Sequence, residues 1–122
     1  MAPGKRKTLG NWGEELAAKY LQERGLSVVA RNVFTPYGEI DLVAKKDDVF
    51  VFVEVKTRSN FSYGYPEEAL TGKKQTHLVE SAQYYIQENA QDDTCWQIDV
   101  IAIHRKPGTE SPEVIWYENA VN

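Results

Sequence analysis

Two short apolar runs, each carrying an acidic residue, meet at an Asp-Asp dipeptide and constrain the fold of this chain more than any other feature. The runs span residues 38–46 and 49–56, and the second is rich in Val and Phe, which favour β-strands. Asp47-Asp48 interrupts them where a turn is needed. The pattern predicts a β-hairpin that carries acidic side chains on its strands.

The position of the turn sets the register of this hairpin. An even-length turn centred on Asp47-Asp48 places Asp41 opposite Glu54. Opposed side chains in an antiparallel pair have Cβ atoms about 4.5–5.5 Å apart. Like charges at that spacing destabilise a sheet, whereas two carboxylates at that spacing can share a divalent cation. We therefore expect a metal site between the two acids; the alternative is a solvent-exposed strand end.

Length and composition limit the classes of protein. A chain of 122 residues is expected to form one domain, here residues 9–122, after a disordered basic tail at residues 1–8. We expect no contact with a membrane, because no apolar run approaches the roughly 20 residues of a spanning helix. The single Cys95 fits a reducing cytoplasm. The net charge of −4 restricts nucleic-acid binding to local basic clusters.

Apolar periodicity along the chain gives the order of the elements. Helical spacing predicts helices over 9–24 and 72–89. Alternation and β-branched residues predict strands over the ranges 26–34, 38–46, 49–56, 96–104 and 113–117. This order, with apolar residues on both faces of the central strand, predicts an α/β fold in which a mixed sheet of about five strands is flanked by helices.

One residue on each helix is a further candidate, and each has a structural alternative. Glu14 lies at the margin of the apolar stripe of the first helix, where it either faces the acids or closes a capping box with Asn11. Gln75 lies near the middle of the stripe of the second helix. It either points at the sheet as a site residue or marks the helix end at the surface.

The hairpin carries groups that suit phosphodiester hydrolysis. Asp41 and Glu54 supply oxygen ligands for Mg²⁺ or Mn²⁺, ions that keep several waters and also bind phosphate oxygens. Lys56 lies two residues beyond Glu54, where an ammonium group orients a water or offsets charge that develops on the phosphate.

These residues also resemble known families. Asp41 followed by Glu54-Val55-Lys56 resembles the PD-(D/E)xK signature of restriction-endonuclease-like nucleases, with Ile40 where the wider superfamily has Pro. The preceding helix with Glu14 resembles the arrangement in Holliday-junction resolvases. Over nearly the whole chain, the sequence resembles the YraN-like family of bacterial proteins, through the motifs Gly13-Glu14, Gly38-Glu39-Ile40-Asp41-Leu42, residues 52–58 and the downstream Lys73 or Lys74.

The resemblance implies a restriction-endonuclease-like fold with a site centred on Asp41, Glu54 and Lys56. It also implies the carbonyl of Val55 as an additional ligand of Mg²⁺ or Mn²⁺. Glu14 and Gln75 complete the candidate catalytic set, and the candidate contacts to nucleic acid are Arg58, Lys73 and Lys74.

The leading hypothesis is a metal-dependent nuclease acting on branched or otherwise structured DNA. The rival is a non-catalytic module that keeps the nuclease fold and binds nucleic acid or protein. Because one small acidic domain offers little surface to hold a duplex, we expect activity to need a homodimer or a partner, with exposed Ile115 or Trp116 on the last strand forming the contact.

Overall fold

The computed structural model describes residues 8–58, 72–91, 93–105 and 111–121. The expected basic tail lies outside these residues except for Thr8, which begins the first helix. The elements follow in the predicted order: α1 (Thr8–Glu23), β1 (Ser27–Thr35), β2 (Gly38–Lys46), β3 (Val49–Arg58), α2 (Gly72–Asn89), β4 (Trp96–His104) and β5 (Glu113–Val121).

The strands form one mixed sheet in the order β1-β2-β3-β4-β5. Strands β3 and β4 are parallel, and the other neighbouring pairs are antiparallel. A parallel pair needs a crossover between its strands, and α2 lies in that connection. The predicted α/β fold with a mixed five-stranded sheet and flanking helices is confirmed.

Each helix buries its apolar stripe against one face of the sheet. On one face α1 packs Ala17, Ala18 and Leu21 against strand residues that include Leu42 and Val53. On the other face α2 packs a second cluster, formed by Leu78, Ala82 and Ile86 with Ile40, Val43, Phe52, Ile98 and Val121. The central strand therefore has apolar side chains on both faces, because both of its faces are covered. Neither helix of the described ranges is long and apolar enough to span a membrane.

The last strand differs from the prediction. It continues past Tyr117 to Val121, through Glu118 and Asn119. The register of β4 and β5 shifts between Ile98 and Val100, and Asn119 takes a left-handed backbone conformation with φ of 52°. An irregularity of this kind lets the strand continue to a buried Val121.

A buried carboxylate ties this irregular region to the sheet. Asp99 is fully buried and accepts hydrogen bonds from Gln97 Nε2 at 2.9 Å, Trp116 Nε1 at 2.8 Å and the Asn119 backbone N–H at 2.8 Å. Such a set of donors satisfies a buried carboxylate, so Asp99 has a structural role.

The exposed apolar side chains are not where the sequence placed them. Ile115 and Trp116 are half-buried, and the Trp116 ring lies edge-on to Tyr20 with centroids 6.3 Å apart. The expectation that these two residues are exposed is wrong, whereas a subunit contact through them stays a prediction. Among the described residues, the exposed large apolar side chains are instead Val29, Phe34 and Tyr37.

Candidate active site

The hairpin has the predicted register. Its paired residues end just before Asp41 on β2 and Glu54 on β3. The ladder of β2 and β3 runs from Lys46–Val49 to Leu42–Val53. Beyond it, the Val55 backbone N–H donates a hydrogen bond of 2.8 Å to Asp41 Oδ2. The side chain of Asp41 is thereby fixed in the gap between the two strands.

Burial and repulsion together make Asp41 hard to ionise. Burial, followed by the charge of Glu54, raises the pKa of Asp41 from 3.8 to about 7. The hydrogen bond from Val55 acts in the opposite direction, and the charge of Glu14 and a hydrogen bond shared with Glu54 raise the pKa further. The two carboxyl groups therefore interact, although the ladder ends at Leu42–Val53 and does not include the expected pair of Asp41 with Glu54.

Glu54 is a buried carboxylate with two lysines on one oxygen. Lys56 Nζ lies 3.0 Å and Lys74 Nζ 3.6 Å from Glu54 Oε2. The hydrogen bond with Lys56, followed by burial and by the charge of Lys56, lowers the pKa of Lys74. The structure thus brings Lys74, expected only as a nucleic-acid contact, into the acid cluster.

Glu14 faces this cluster from α1. The helix begins at Thr8, so Asn11 lies inside it and the capping-box alternative for Glu14 is wrong. With its amide oriented to satisfy both neighbours, Asn32 donates to Glu14 Oε1 at 3.1 Å and to Glu39 Oε2 at 3.2 Å. Sequence reasoning missed Asn32, whose φ of 50° lies in the left-handed region that Asn tolerates better than most residues.

A close approach of α1 to β3 holds Glu14 beside the hairpin. Gly13 is buried, and a Cβ atom at that position would collide with the hydroxyl of Thr57 on β3. Only a residue without a side chain permits this contact. α1 therefore contacts β3 at Thr57, the residue that follows Lys56 of the acid cluster.

Gly13→Ala is expected to lower the melting temperature. The added methyl group overpacks the contact with Thr57, and overpacking costs typically about 1–3 kcal/mol. The opposing gain in helix propensity is about 1 kcal/mol. Thermal unfolding of Gly13→Ala, Thr57→Ala and the double variant measures the coupling, and Thr57→Ala should recover most of the loss.

Gly72→Ala is the matched control, because a Cβ atom there meets no atom of the described residues within 4 Å. It should be neutral or slightly stabilising. A Gly13→Ala protein more stable than wild type would contradict the close contact.

The remaining candidates lie around the cluster. Gln75 is half-buried in the first turn of α2, next to Lys74, and Lys73 is exposed. Arg58, at the end of β3, is half-buried and donates to the Thr57 carbonyl at 3.2 Å. The predicted basic residues therefore lie at the start of α2 and at the end of β3, next to the acid cluster.

The β1–β2 turn closes one side of the site. Thr35 Oγ1 accepts hydrogen bonds from the backbone N–H groups of Tyr37 and Gly38, both at 3.1 Å, and lies 2.9 Å from the hydroxyl of the buried Ser81 on α2. Between this turn and α2 is a cavity of about 150 Å³ that reaches Glu54 and Lys74. A larger cavity of about 530 Å³, near Phe50 and Cys95, contains none of the candidate residues.

The donor set fits a small, hard cation. Among the described residues no group of three or more His, Cys, Asp or Glu side chains is arranged to hold a metal ion, so the carboxylate pair of Asp41 and Glu54 is the available set. Mg²⁺ is commonly bound through one or two carboxylates while it keeps several waters. A divalent cation would offset the repulsion between Asp41 and Glu54, and it would share Glu54 with the two lysines on Oε2.

Comparison with known proteins supports one family over most of the chain. The model of "Uncharacterised protein family UPF0102" matches residues 13–103, a range that includes every candidate residue from Glu14 to Gln75. A UPF0102 protein of Syntrophotalea carbinolica is 45% identical over 101 residues, which cover 83% of this chain and 82% of that relative. UPF0102 proteins of Syntrophomonas wolfei and Caldicellulosiruptor saccharolyticus are 46% and 36% identical, covering 80% and 94% of this chain and 84% and 98% of their own lengths.

Proposed function

The chain belongs to the uncharacterised protein family UPF0102, and on that premise we propose that it is a metal-dependent nuclease that hydrolyses phosphodiester bonds in branched or otherwise structured DNA. The observation that carries the proposal is the pair Asp41 and Glu54, with Lys56 3.0 Å from the second acid. Two interacting acids and an adjoining lysine are the groups that phosphoryl chemistry needs in one place.

Each residue has a distinct part in the proposal. Asp41, Glu54 and the Val55 carbonyl would hold Mg²⁺ or Mn²⁺, and the ion would supply Lewis-acid polarisation of a phosphate oxygen and activation of a water. Lys56, kept in place by Glu54, offsets the negative charge that develops on the phosphate. Glu14 adds a further negative charge beside Asp41 and so favours the binding of a cation.

DNA is held by local basic groups in this proposal, because the net charge is −4. Lys73 and Lys74 on α2 and Arg58 at the end of β3 contact phosphates on either side of the site. A homodimer supplies the additional surface that a duplex requires, and the reaction takes place in the cytoplasm.

Calorimetry tests the metal site directly. Wild type is expected to bind Mg²⁺ or Mn²⁺, and the double variant Asp41→Asn, Glu54→Gln is expected to lose that binding because both oxygen ligands become amides. The control is Asp47→Asn, Asp48→Asn, which removes two exposed charges from the same hairpin. Equal heats of binding for wild type and the site variant would rule out the carboxylate pair as the metal site.

Cleavage assays test the reaction. Linear, flapped and four-way DNA are incubated with the protein and Mg²⁺ or Mn²⁺, and cleavage of at least one structured substrate is expected. Binding of DNA without cleavage, by protein that calorimetry shows to be metal-loaded, would favour the rival function, a non-catalytic binding module. The acidic net charge is the feature that favours that rival.

A further inference from the structure

An exposed aromatic ring stands on a fixed turn at the edge of the site. Tyr37 is 45% exposed, and its ring lies edge-on to the ring of Tyr84 on α2 with centroids 6.4 Å apart. The hydroxyl of Thr35 bonds to the turn and connects it to Ser81 on the same helix. An aromatic ring that is held in this way loses little further entropy when a ligand stacks on it.

The cavity beside this ring connects it to the acid cluster. Tyr37 lines it from the turn, Lys74 and His77 line it from α2, and Glu54, one acid of the carboxylate pair, also lines it. Its volume of about 150 Å³ is below the roughly 300–1,000 Å³ of sites for drug-sized ligands. A space of this size suits one planar ring system better than a base pair.

We propose that this cavity binds the base of one unpaired nucleotide beside the phosphate that is cleaved, with Tyr37 as the stacking surface and Lys74 beside the adjoining phosphate. The inference rests on the proposed nuclease function and deepens it, because it assigns the substrate class. Every base offers a flat face, so stacking selects an unpaired base without selecting its identity. A base inside a duplex must first unpair and unstack to enter, and this favours branch points, gaps and flaps.

The test measures stacking and cleavage separately. A DNA flap with fluorescent 2-aminopurine at its unpaired position is titrated without divalent cation with wild type, Tyr37→Ala, Tyr37→Phe and Phe34→Ala. Stacking on an aromatic ring quenches the fluorophore. Wild type, Tyr37→Phe and Phe34→Ala are expected to quench it, whereas Tyr37→Ala should not and should bind the flap roughly 10- to 100-fold more weakly. Phe34 is the matched control because it is 77% exposed in the same region and does not line the cavity.

Quenching by Tyr37→Ala equal to that of wild type, or no quenching by wild type, would overturn the inference. Cleavage in Mg²⁺ distinguishes this failure from failure of the nuclease proposal. If wild type cleaves and Tyr37→Ala keeps the same ratio of flap to duplex cleavage, the base site is refuted and the nuclease stands. If wild type quenches through Tyr37 but cleaves no DNA, the base site stands and the nuclease is refuted.

Discussion

Asp41→Asn is expected to stabilise the metal-free protein, and the gain should grow as the pH rises. The pKa of Asp41 is about 7 in the folded protein, against 3.8 for an ordinary Asp, mainly because of burial and then because of the charge of Glu54. Between these two values the folded state binds more protons than the unfolded state, so the free energy of unfolding of wild type falls as the pH rises. The variant lacks this titration.

The two proteins should therefore be similar in stability near pH 4 and should differ most above pH 7. We expect a difference on the order of 1–3 kcal/mol at neutral pH, which is several degrees in melting temperature. Scanning calorimetry from pH 4 to pH 8 measures it. Asp47→Asn is the control, because it removes a charge from the exposed turn of the same hairpin and should change little.

Saturating Mg²⁺ should reverse the order of stability, so that wild type becomes more stable than Asp41→Asn. A ligand that binds only the folded state adds RT ln(1 + [L]/Kd), about 2.7 kcal/mol at 100 times Kd, and the variant has lost one ligand of that ion. An apo Asp41→Asn protein less stable than wild type at pH 7.5 would contradict the facing pair. Equal stabilisation of both proteins by Mg²⁺ would contradict the role of Asp41 as a ligand.

Lys56→Ala is expected to reduce the rate of DNA cleavage by about 10²–10³-fold while DNA binding changes much less. Loss of one group that stabilises transition-state charge has typically this effect. The reduction should appear in kcat, because Lys56 is largely buried against Glu54 and acts at the reacting phosphate rather than along the DNA. Single-turnover cleavage and DNA-binding anisotropy separate the two quantities.

Lys46→Ala is the matched control, since this exposed lysine lies at the turn end of the same hairpin. Both variants should be compared with wild type by thermal unfolding, because removal of Lys56 takes away the nearer of the two lysines beside Glu54 and leaves Lys74 Nζ 3.6 Å from Glu54 Oε2. If folded Lys56→Ala protein cleaves DNA at the wild-type rate, Lys56 has no part in the mechanism.

Local patterns were enough to predict most of this fold. The hairpin register follows from the position of Asp47-Asp48 and from strand alternation, and the observed ladder agrees with it. The predicted bounds of α2 and β4 match the structure because uninterrupted periodicity defines both elements.

Contacts between distant segments were not predictable from such patterns. The extension of β5 depends on the bond between Asn119 and Asp99, and the bridge from Asn32 to Glu14 depends on how α1 packs on the sheet. The pairing of Lys74 with Glu54 likewise requires the position of α2 relative to β3. Each joins residues far apart in the chain, where propensity and periodicity carry no information.

The strand that carries Glu54 and Lys56 lies in the middle of the sheet, is paired with β4 at both of these residues and is covered by a helix on each face. Backbone amides in such a strand exchange with solvent only when most of the protein opens, whereas edge strands and loops open locally. Adjustments that admit a substrate must therefore come from side-chain rotation and from the surrounding turn and helix ends. The backbone beneath the two residues serves as a fixed frame for as long as the chain stays folded.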